Sequence, residues 1–323
     1  MLTGASGFVG SHILDSLRKR RLPTALLLRP GSRRQFIAPH LPEVETRPGS
    51  ISDPESLQRA MADVTHVIHC AGATRAARVA GFYEVNQAGT RNVVNAVNSQ
   101  AGRVRRLVHI SSLAAAGPAP PDQPAREQDP PRPVSEYGKS KLAGELEVKD
   151  HCRAEHVILR PPAVYGPRDA EFLRLFGAVH HHLLPTPGLA QPLSLVFVKD
   201  LAEAAVACLD HPAAVGKTYF VAAREVVTAR RMADEIAAQM KVWALPLPLP
   251  LPFLWLLCLA NESVSRLTGK ASVLSLQKYA ELRAPSWVCD PSLFERETGC
   301  ACPTFLAKGV AETLAWYRQE RWL

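Results

Sequence analysis

The sequence predicts an α/β fold: a doubly wound parallel sheet with a smaller C-terminal lobe and a truncated first strand. Three observations predict it. Glycines at 4, 7 and 10 form a turn that opens an amphipathic helical stretch, residues 11–20, with Ile13, Leu14 and Leu17 on one face. Short apolar runs then alternate with helical patterns as far as residue 166, which is the rhythm of βαβ units. Past that point the rhythm breaks, and it returns once around 193–222. The 323 residues have room for two domains, or for one with an appended lobe. They divide into a dinucleotide-type sheet domain, 1–166 with 193–222, and a second lobe, 167–192 with 223–323.

The turn comes first. A glycine-rich turn feeding a helix N-terminus is a phosphate cradle, which makes the sheet Rossmann-type. Gly4 permits the tight turn, Gly7 lets a pyrophosphate approach the backbone, and Gly10 lets the helix pack on the sheet. The spacing is Gly-x-x-Gly-x-x-Gly rather than Gly-x-Gly-x-x-Gly, and taken alone it also fits an ordinary structural turn. A central strand should carry about five residues, yet only Met1 and Leu2 precede Thr3. Either the true start lies upstream of Met1, the reading favoured here, or the strand is a stub.

Residues 25–28, Ala-Leu-Leu-Leu between two prolines, read as a buried parallel strand. Arg29 follows, with Ser32, Arg33 and Arg34 close behind. An acidic residue here would bond an adenosine ribose, whereas arginine pairs with a 2′-phosphate. Arg29 thus favours NADP, with NAD as the alternative; a solvated basic loop is the other reading. Residues 44–47 form a third strand, then Asp53 caps a helix with Pro54 in its first position. Residues 64–70 form a fourth strand, ending in Ala71-Gly72-Ala73, small enough for close contact with a cofactor. A helix carries Asn86, Gly89 and Thr90, and the strand 107–110 delivers Ser111 and Ser112 at its carboxyl end. Seven prolines between 117 and 135 make a loop that lands on the helix of Tyr137 and Lys141. The strand 157–159 runs into Arg160-Pro161-Pro162-Ala163-Val164-Tyr165-Gly166-Pro167.

Tyr137 and Lys141 stand four apart, so both project from one helix face. A phenol titrates near 10, and a lysine one turn away would favour the phenolate. Tyr137 would then exchange a proton with a substrate hydroxyl or carbonyl, with Ser112 hydrogen-bonding the same oxygen and Lys141 holding the nicotinamide ribose. Tyr-x-x-x-Lys alone is a common surface pattern. Behind a glycine turn and a strand ending Ser-Ser, it becomes specific.

On these motifs the chain resembles the extended short-chain dehydrogenase/reductases, also called the NAD-dependent epimerase/dehydratase family, over nearly its whole length. The motifs stand as Thr3-Gly4-Ala5-Ser6-Gly7-Phe8-Val9-Gly10, His69-Cys70-Ala71-Gly72-Ala73, Asn86 with Gly89-Thr90, Ile110-Ser111-Ser112, Tyr137-Gly138-Lys139-Ser140-Lys141, and Arg160 to Pro167. The resemblance implies Ser112, Tyr137 and Lys141 as catalytic residues, supported by Asn86. It implies cofactor contacts from Gly4, Ser6, Gly7, Phe8, Val9, Arg29, Ser50, Ile51, Ala71, Gly72, Ala73, Tyr137, Lys141, Pro161 and Val164. Where the family often has Gly-Asp-Leu, this chain has Gly49-Ser50-Ile51. Nucleotide-sugar dehydratases need an acidic pair after the catalytic serine or threonine, and Leu113-Ala114 stands there. Sugar epimerases usually have a tyrosine where Ala116 stands and an arginine near Leu193-Ser194. The tail, from Trp287 to Leu323, looks more like the 3β-hydroxysteroid dehydrogenase-like and dihydroflavonol-reductase-like branches.

A net charge of +8 is scattered rather than gathered into a stripe with aromatics, which argues against nucleic acid. Seven cysteines, an odd number with no signal-like run before them, fit a cytoplasmic setting. Cys289, Cys300 and Cys302 lack a fourth ligand at zinc spacing, so no metal is expected. Residues 242–260 carry no charge, but prolines at 246, 248, 250 and 252 bar a spanning helix. They read as an extended segment, then a helix with Phe253, Leu256, Leu257, Ala260, Val264 and Leu267 on one side and Gly269 as C-cap. That helix is either core of the lobe or a peripheral membrane or apolar-substrate contact through 242–268. The leading reading is an NADP-dependent oxidoreductase interconverting an alcohol and a ketone on an apolar, sterol- or flavonoid-like small molecule, as monomer or homodimer. A nucleotide-sugar epimerase is the alternative, and a non-catalytic dinucleotide-binding redox sensor the third.

Overall fold

In the computed structural model, residues 1–100, 102–186, 191–248, 250–268 and 276–323 are described. Six strands run in chain order: β1 (Leu2–Thr3), β2 (Ala25–Leu28), β3 (Glu45–Pro48), β4 (His66–His69), β5 (Arg106–Ile110) and β6 (Glu155–Arg160). Six more follow: β7 (Ala163–Tyr165), β8 (Leu183–Thr186), β9 (Pro192–Phe197), β10 (Lys217–Phe220), β11 (Val226–Thr228) and β12 (Leu245–Pro248). Seven of these form one parallel sheet in the order β10-β6-β5-β4-β1-β2-β3. The first strand therefore lies inside the sheet, with Leu2 opposite both Leu26 and Ile68 and Thr3 opposite Leu27 and His69. It is two residues long in this sequence. The chain steps outward on one side to β3 and returns on the other side of β1 with β4. Where strand order reverses like this, a crevice opens at the carboxyl ends.

Alternation within each strand sends side chains to opposite faces, and helices bury both. Leu26, Leu28, Val108, Ile110, Val157 and Leu159 pack on one face with Ile13, Leu14 and Leu17 of the helix Phe8–Lys19 and Leu201, Ala202 and Ala205 of Val198–Ala207. Leu27, Leu107 and Ile158 pack on the other face with Leu57, Val93, Val97 and Val148. The second helix starts as its sequence predicts: Pro54–Ala60, with Asp53 Oδ1 accepting from Ser56 N at 3.2 Å.

A second core gathers Tyr165, Phe176, Leu195, Phe197, Ile236, Leu314 and Tyr317. Here β9 pairs with β7 and β11 in a three-stranded sheet, and β12 pairs in parallel with β8. The helix Leu251–Thr268 follows with Pro252 in its first turn, as expected. Its buried side differs from the expected one. Leu254 and Cys258 are buried at 2% and 0% exposure, whereas Phe253 and Leu256 are exposed. Period alone could not set the phase, because this run is apolar all round. Gly269, and the side chains of Val264 and Leu267, lie outside the described residues. Among the described residues no helix is long and apolar enough to cross a membrane.

His12 ties the first helix to the chain beyond β7. It is 4% exposed, its Nε2 lies 2.9 Å from the Pro167 carbonyl, and burial pushes its pKa down to about 4. The folded value lies below the unfolded one, so the contribution of neutral His12 is full above pH 6.5 and is lost as pH falls through about 4. The loss should reach about 3 kcal/mol. Thermal melts between pH 6.5 and 4 should show a falling melting temperature. His12→Gln, which keeps a donor for Pro167, should flatten part of that fall; an unchanged slope would remove His12 from the acid limb.

Candidate active site

The cradle is built by steric necessity. Gly4 has φ +75°, and a Cβ there would lie 2.6 Å from the Ala71 nitrogen; at Gly10 it would lie 2.0 Å from the Gly4 carbonyl oxygen. No larger residue allows these approaches. The helix begins at Phe8 with Gly7 as N-cap, no side chain capping it and no acidic residue in its first turn. Its leading N–H groups, with Gly7 exposed and Ser6, Phe8 and Val9 half-buried beside it, have no capping side chain and suit an anion. These residues fit a dinucleotide pyrophosphate.

The end of β4 is pinned to this turn. Thr3 Oγ1 accepts from Ala71 N at 3.2 Å and bonds His69 Nδ1 at 2.8 Å. His69 Nε2 reaches Thr90 Oγ1 at 3.1 Å, and burial followed by the Lys141 charge pushes its pKa down to about 3. Both rings below the site, His69 and His109, are therefore neutral; their centroids are 5.2 Å apart. Ala73 is held by Asn86, whose Oδ1 accepts from Ala73 N at 2.8 Å and whose Nδ2 donates to Ala73 O and Ser140 Oγ, each at 2.9 Å. Asn86 is 2% exposed, in a π-helical turn, Glu84–Ala88. All its polar atoms bind protein, so it locks the Ala71-Gly72-Ala73 strip against the helix Glu136–His151.

That helix carries Tyr137 and Lys141. Ser135 caps it through Gly138 N at 3.1 Å and donates to Glu281 Oε1 at 2.9 Å. Ser112 stands beside the Tyr137 phenol and lowers its pKa, so the two predicted catalytic hydroxyls come together. Lys141 is 5% exposed, with Nζ donating to the Ile110 carbonyl at 2.7 Å. A Cβ on Gly72 would lie 3.6 Å from that nitrogen, so the small residue leaves it reachable from above. Burial pushes Lys141 down to about 8. The phenol does not follow the simple expectation of a lysine-lowered pKa. Its low-dielectric surroundings push Tyr137 up to about 12, and the Ser112 hydrogen bond offsets this only in part.

The remaining predicted contacts spread around the crevice. Arg29 is exposed just past β2, and Arg33 and Arg34 are exposed beside it. Ser50 Oγ bonds Ser52 Oγ at 2.8 Å, while Ile51 packs where a Cβ on Gly89 would lie 2.7 Å from its Cδ1. Pro161 is buried and its carbonyl accepts from Leu113 N at 2.8 Å; Val164 is half-buried at the first core.

Glu145 was not singled out by the sequence reading, yet it organises this end of the sheet. It is fully buried on the Tyr137 helix, accepting from Ser111 Oγ at 2.5 Å and from Arg160 Nε and Nη2 at 2.8 and 2.6 Å. A charged residue one turn past Lys141, matched by an arginine closing the next apolar strand, is the available signal. It is faint, because each residue alone reads as solvent-facing.

Comparison with known proteins follows from this geometry. A model of the family described as NAD dependent epimerase/dehydratase matches residues 1–222. A ceramide reductase of Caulobacter vibrioides is 30% identical over 327 residues, covering 100% of this chain and 95% of that protein. A UDP-glucose 4-epimerase of Vibrio cholerae is 30% identical over 291 residues, 84% of this chain and 86% of that one. The crystal structure of gox2253 superposes with a TM-score of 0.81 at 25% identity, covering 99% of this chain and 97% of that one.

Removing one partner of a buried ion pair leaves a charge without a counterpart. Arg160→Met, which keeps the stem's volume, should cost about 3–5 kcal/mol. Urea unfolding would read it as a lower midpoint at unchanged slope. A loss below about 1 kcal/mol, the scale of an exposed pair, would mean that Glu145 is not held as described.

Proposed function

The chain belongs to the NAD-dependent epimerase/dehydratase family, and on that premise we propose an NADP-preferring oxidoreductase that interconverts a ketone and an alcohol on a largely apolar, lipid-like molecule. The observation that carries this reading is the placing of Ser112 beside Tyr137, whose pKa it lowers, next to the buried Lys141 and the glycine cradle. NADP(H), when bound, supplies or accepts the hydride. Gly4, Ser6, Gly7, Phe8 and Val9 would hold its pyrophosphate, Arg29 its 2′-phosphate, and Tyr137 and Lys141 its nicotinamide ribose. Ser50 and Ile51 would border the adenine; Ala71, Gly72, Ala73, Pro161 and Val164 would line its path. The lobe of 167–192 and 223–323 would hold the substrate.

Ser112 donates to the substrate oxygen and fixes it. As the carbonyl carbon takes the hydride, that oxygen takes the proton of Tyr137 Oη, and the ammonium of Lys141 steadies the phenolate left behind. A phenol raised to about 12 holds its proton at neutral pH. It is poised to give that proton up, which suits reduction. Asn86 acts through the strip it locks and is a positioning residue in this scheme. The apolar body of the substrate is supported by the relative that spans the whole chain, whose name is ceramide reductase. That name points to a long-chain lipid rather than a sterol or flavonoid.

The second reading, a nucleotide-sugar epimerase, is favoured by the Vibrio cholerae relative. Stoichiometry separates the two. A reductase consumes one NADPH per ketone, whereas an epimerase returns its cofactor each turn and leaves the absorbance of NADPH unchanged. Leu193 and Ser194 weigh against a sugar nucleotide: Ser194 is buried, with Oγ accepting from Cys289 N at 3.1 Å, and offers no cation for a pyrophosphate.

With a keto-lipid and NADPH, Tyr137→Phe should lower turnover at least ~10²-fold and leave cofactor affinity nearly intact. Ser112→Ala should behave alike, and only Lys141→Ala should also weaken cofactor binding strongly. Full activity in Tyr137→Phe would end the tyrosine mechanism for this protein.

Fluorescence titration should give tighter binding of NADPH than of NADH. Arg29→Asp should reverse the preference, weakening NADPH at least ~10-fold through loss of a charge-assisted pair. Equal affinities in the unaltered chain would take Arg29 out of the cofactor site.

A further inference from the structure

We propose that the lobe docks on the surface of an anionic lipid bilayer through an apolar shelf made by β12 and the helix Leu251–Thr268. This goes beyond the reading of the reaction and stands independently of it. From Val242 to Ala260 the chain holds no charged residue. Leu254 and Cys258, one turn apart, seat the helix on the protein, so its other sides face out. There Phe253, Trp255 and Leu256 are 49%, 41% and 55% exposed, and Trp243 and Leu245, leading into and opening β12, are 66% and 57% exposed. Five large apolar side chains from one short segment exceed the scattered exposure normal for a monomer surface.

Charge decides what covers the shelf. The two stretches that build it and its neighbours, 172–199 and 236–261, contain no aspartate or glutamate, though acids flank them at 171, 200, 234, 235 and 262. They contribute Arg174, Lys241 and the run His180-His181-His182, while Lys199 is paired with Glu312. Arg174 and Lys241 are exposed and form no ion pair among the described residues. His182 stacks on Trp243 with ring centroids 4.4 Å apart, and its Nδ1 lies 2.7 Å from the Trp243 carbonyl, which fixes the histidine run at the edge of the shelf. An uncharged apolar face with two exposed indoles and exposed Lys241 and Arg174 nearby in sequence matches the boundary between acyl chains and anionic headgroups. A second copy of this chain does not match it. A two-fold contact would set the same exposed cations, Arg174 and Lys241, against one another. Among the described residues no helix is long and apolar enough to cross the bilayer.

Docking here reaches the reaction centre by a short path. The helix packs against its neighbour Leu276–Leu282, whose Glu281 Oε1 accepts from Ser135 Oγ at 2.9 Å, two residues before Tyr137. A substrate leaving the bilayer at this shelf would arrive at the mouth of the crevice.

The test is flotation of the full chain with vesicles of phosphatidylcholine alone and of phosphatidylcholine mixed with phosphatidylglycerol, at low and high salt. Binding to the mixed vesicles, weaker binding to the neutral ones and a decline with salt are expected. The double variant Trp255→Glu/Leu256→Glu should lower mixed-vesicle affinity at least ~10-fold with NADPH affinity unchanged. Lys241→Glu should weaken binding to the anionic vesicles and not to the neutral ones. No binding to either vesicle would overturn the proposal. So would sedimentation equilibrium showing a dimer that the double variant dissociates, since the shelf would then belong to a second copy.

Discussion

A single carboxylate inside the protein sets the geometry of the reaction centre. Glu145 sits with no solvent contact between the Tyr137 helix and the ends of β5 and β6, bonded to Ser111 and doubly to Arg160. An isolated charge in such surroundings would be untenable, so the folded chain must keep both partners in register. Each partner is the immediate neighbour of a working residue: Ser111 precedes Ser112, and Arg160 precedes Pro161. Glu145 itself lies one turn beyond Lys141. Three separate segments can therefore shift only together. The bidentate fork of Arg160 also fixes direction, which a lysine's single ammonium would not. On its other side that guanidinium lies 5.8 Å from the Phe220 ring, so β10 is drawn into the same arrangement.

Around this anchor the electrostatics favour neutral groups. The two histidines under the floor are depressed, and Lys141 is brought down to about 8 while Tyr137 rises to about 12. Dehydration dominates every one of these shifts. Lys141 meanwhile donates to the Ile110 carbonyl. The site thus stores a proton on oxygen and keeps a weakly held charge nearby. Proton release waits on whatever redirects the ammonium toward the crevice, and a ribose hydroxyl is the natural candidate under the proposed reading.

Much of this was legible in the sequence wherever local physics decides the outcome. The Asp53-Pro54 helix start and the parallel strand 25–28 each follow from side chains acting on their own neighbourhood, whereas the pairing of Ser112 with Tyr137 was legible only through the order of the motifs. Glu145 was not legible, because nothing local marks a carboxylate for burial; its partners arrive from 34 and 15 residues away in sequence. The phase of the helix after Pro252 failed for the opposite reason. With leucine, tryptophan and phenylalanine on every side, hydrophobicity no longer distinguishes inside from outside, and only tertiary contact at Leu254 and Cys258 does. Strand β9 illustrates a third limit: its apolar run reads as a sheet strand, but pattern does not say which sheet.

That same strand has a mechanical consequence. Phe197 ends β9, in the small sheet with β7 and β11, and is also the N-cap of the helix Val198–Ala207, which packs on the helix behind the glycine turn. No linker separates the two elements. Proteins that close over a substrate by rotating one domain against another need a few residues free to absorb the change in backbone angles. Here the strand and helix form a continuous strut, buttressed where Phe36 meets Trp316 and Trp322. Rigid-body clamshell motion is therefore resisted at this junction, and under the proposed reading substrate entry and exit would fall to rearrangements around the smaller sheet. Turnover in such a machine would be paced by local breathing, not by the swing of a hinge.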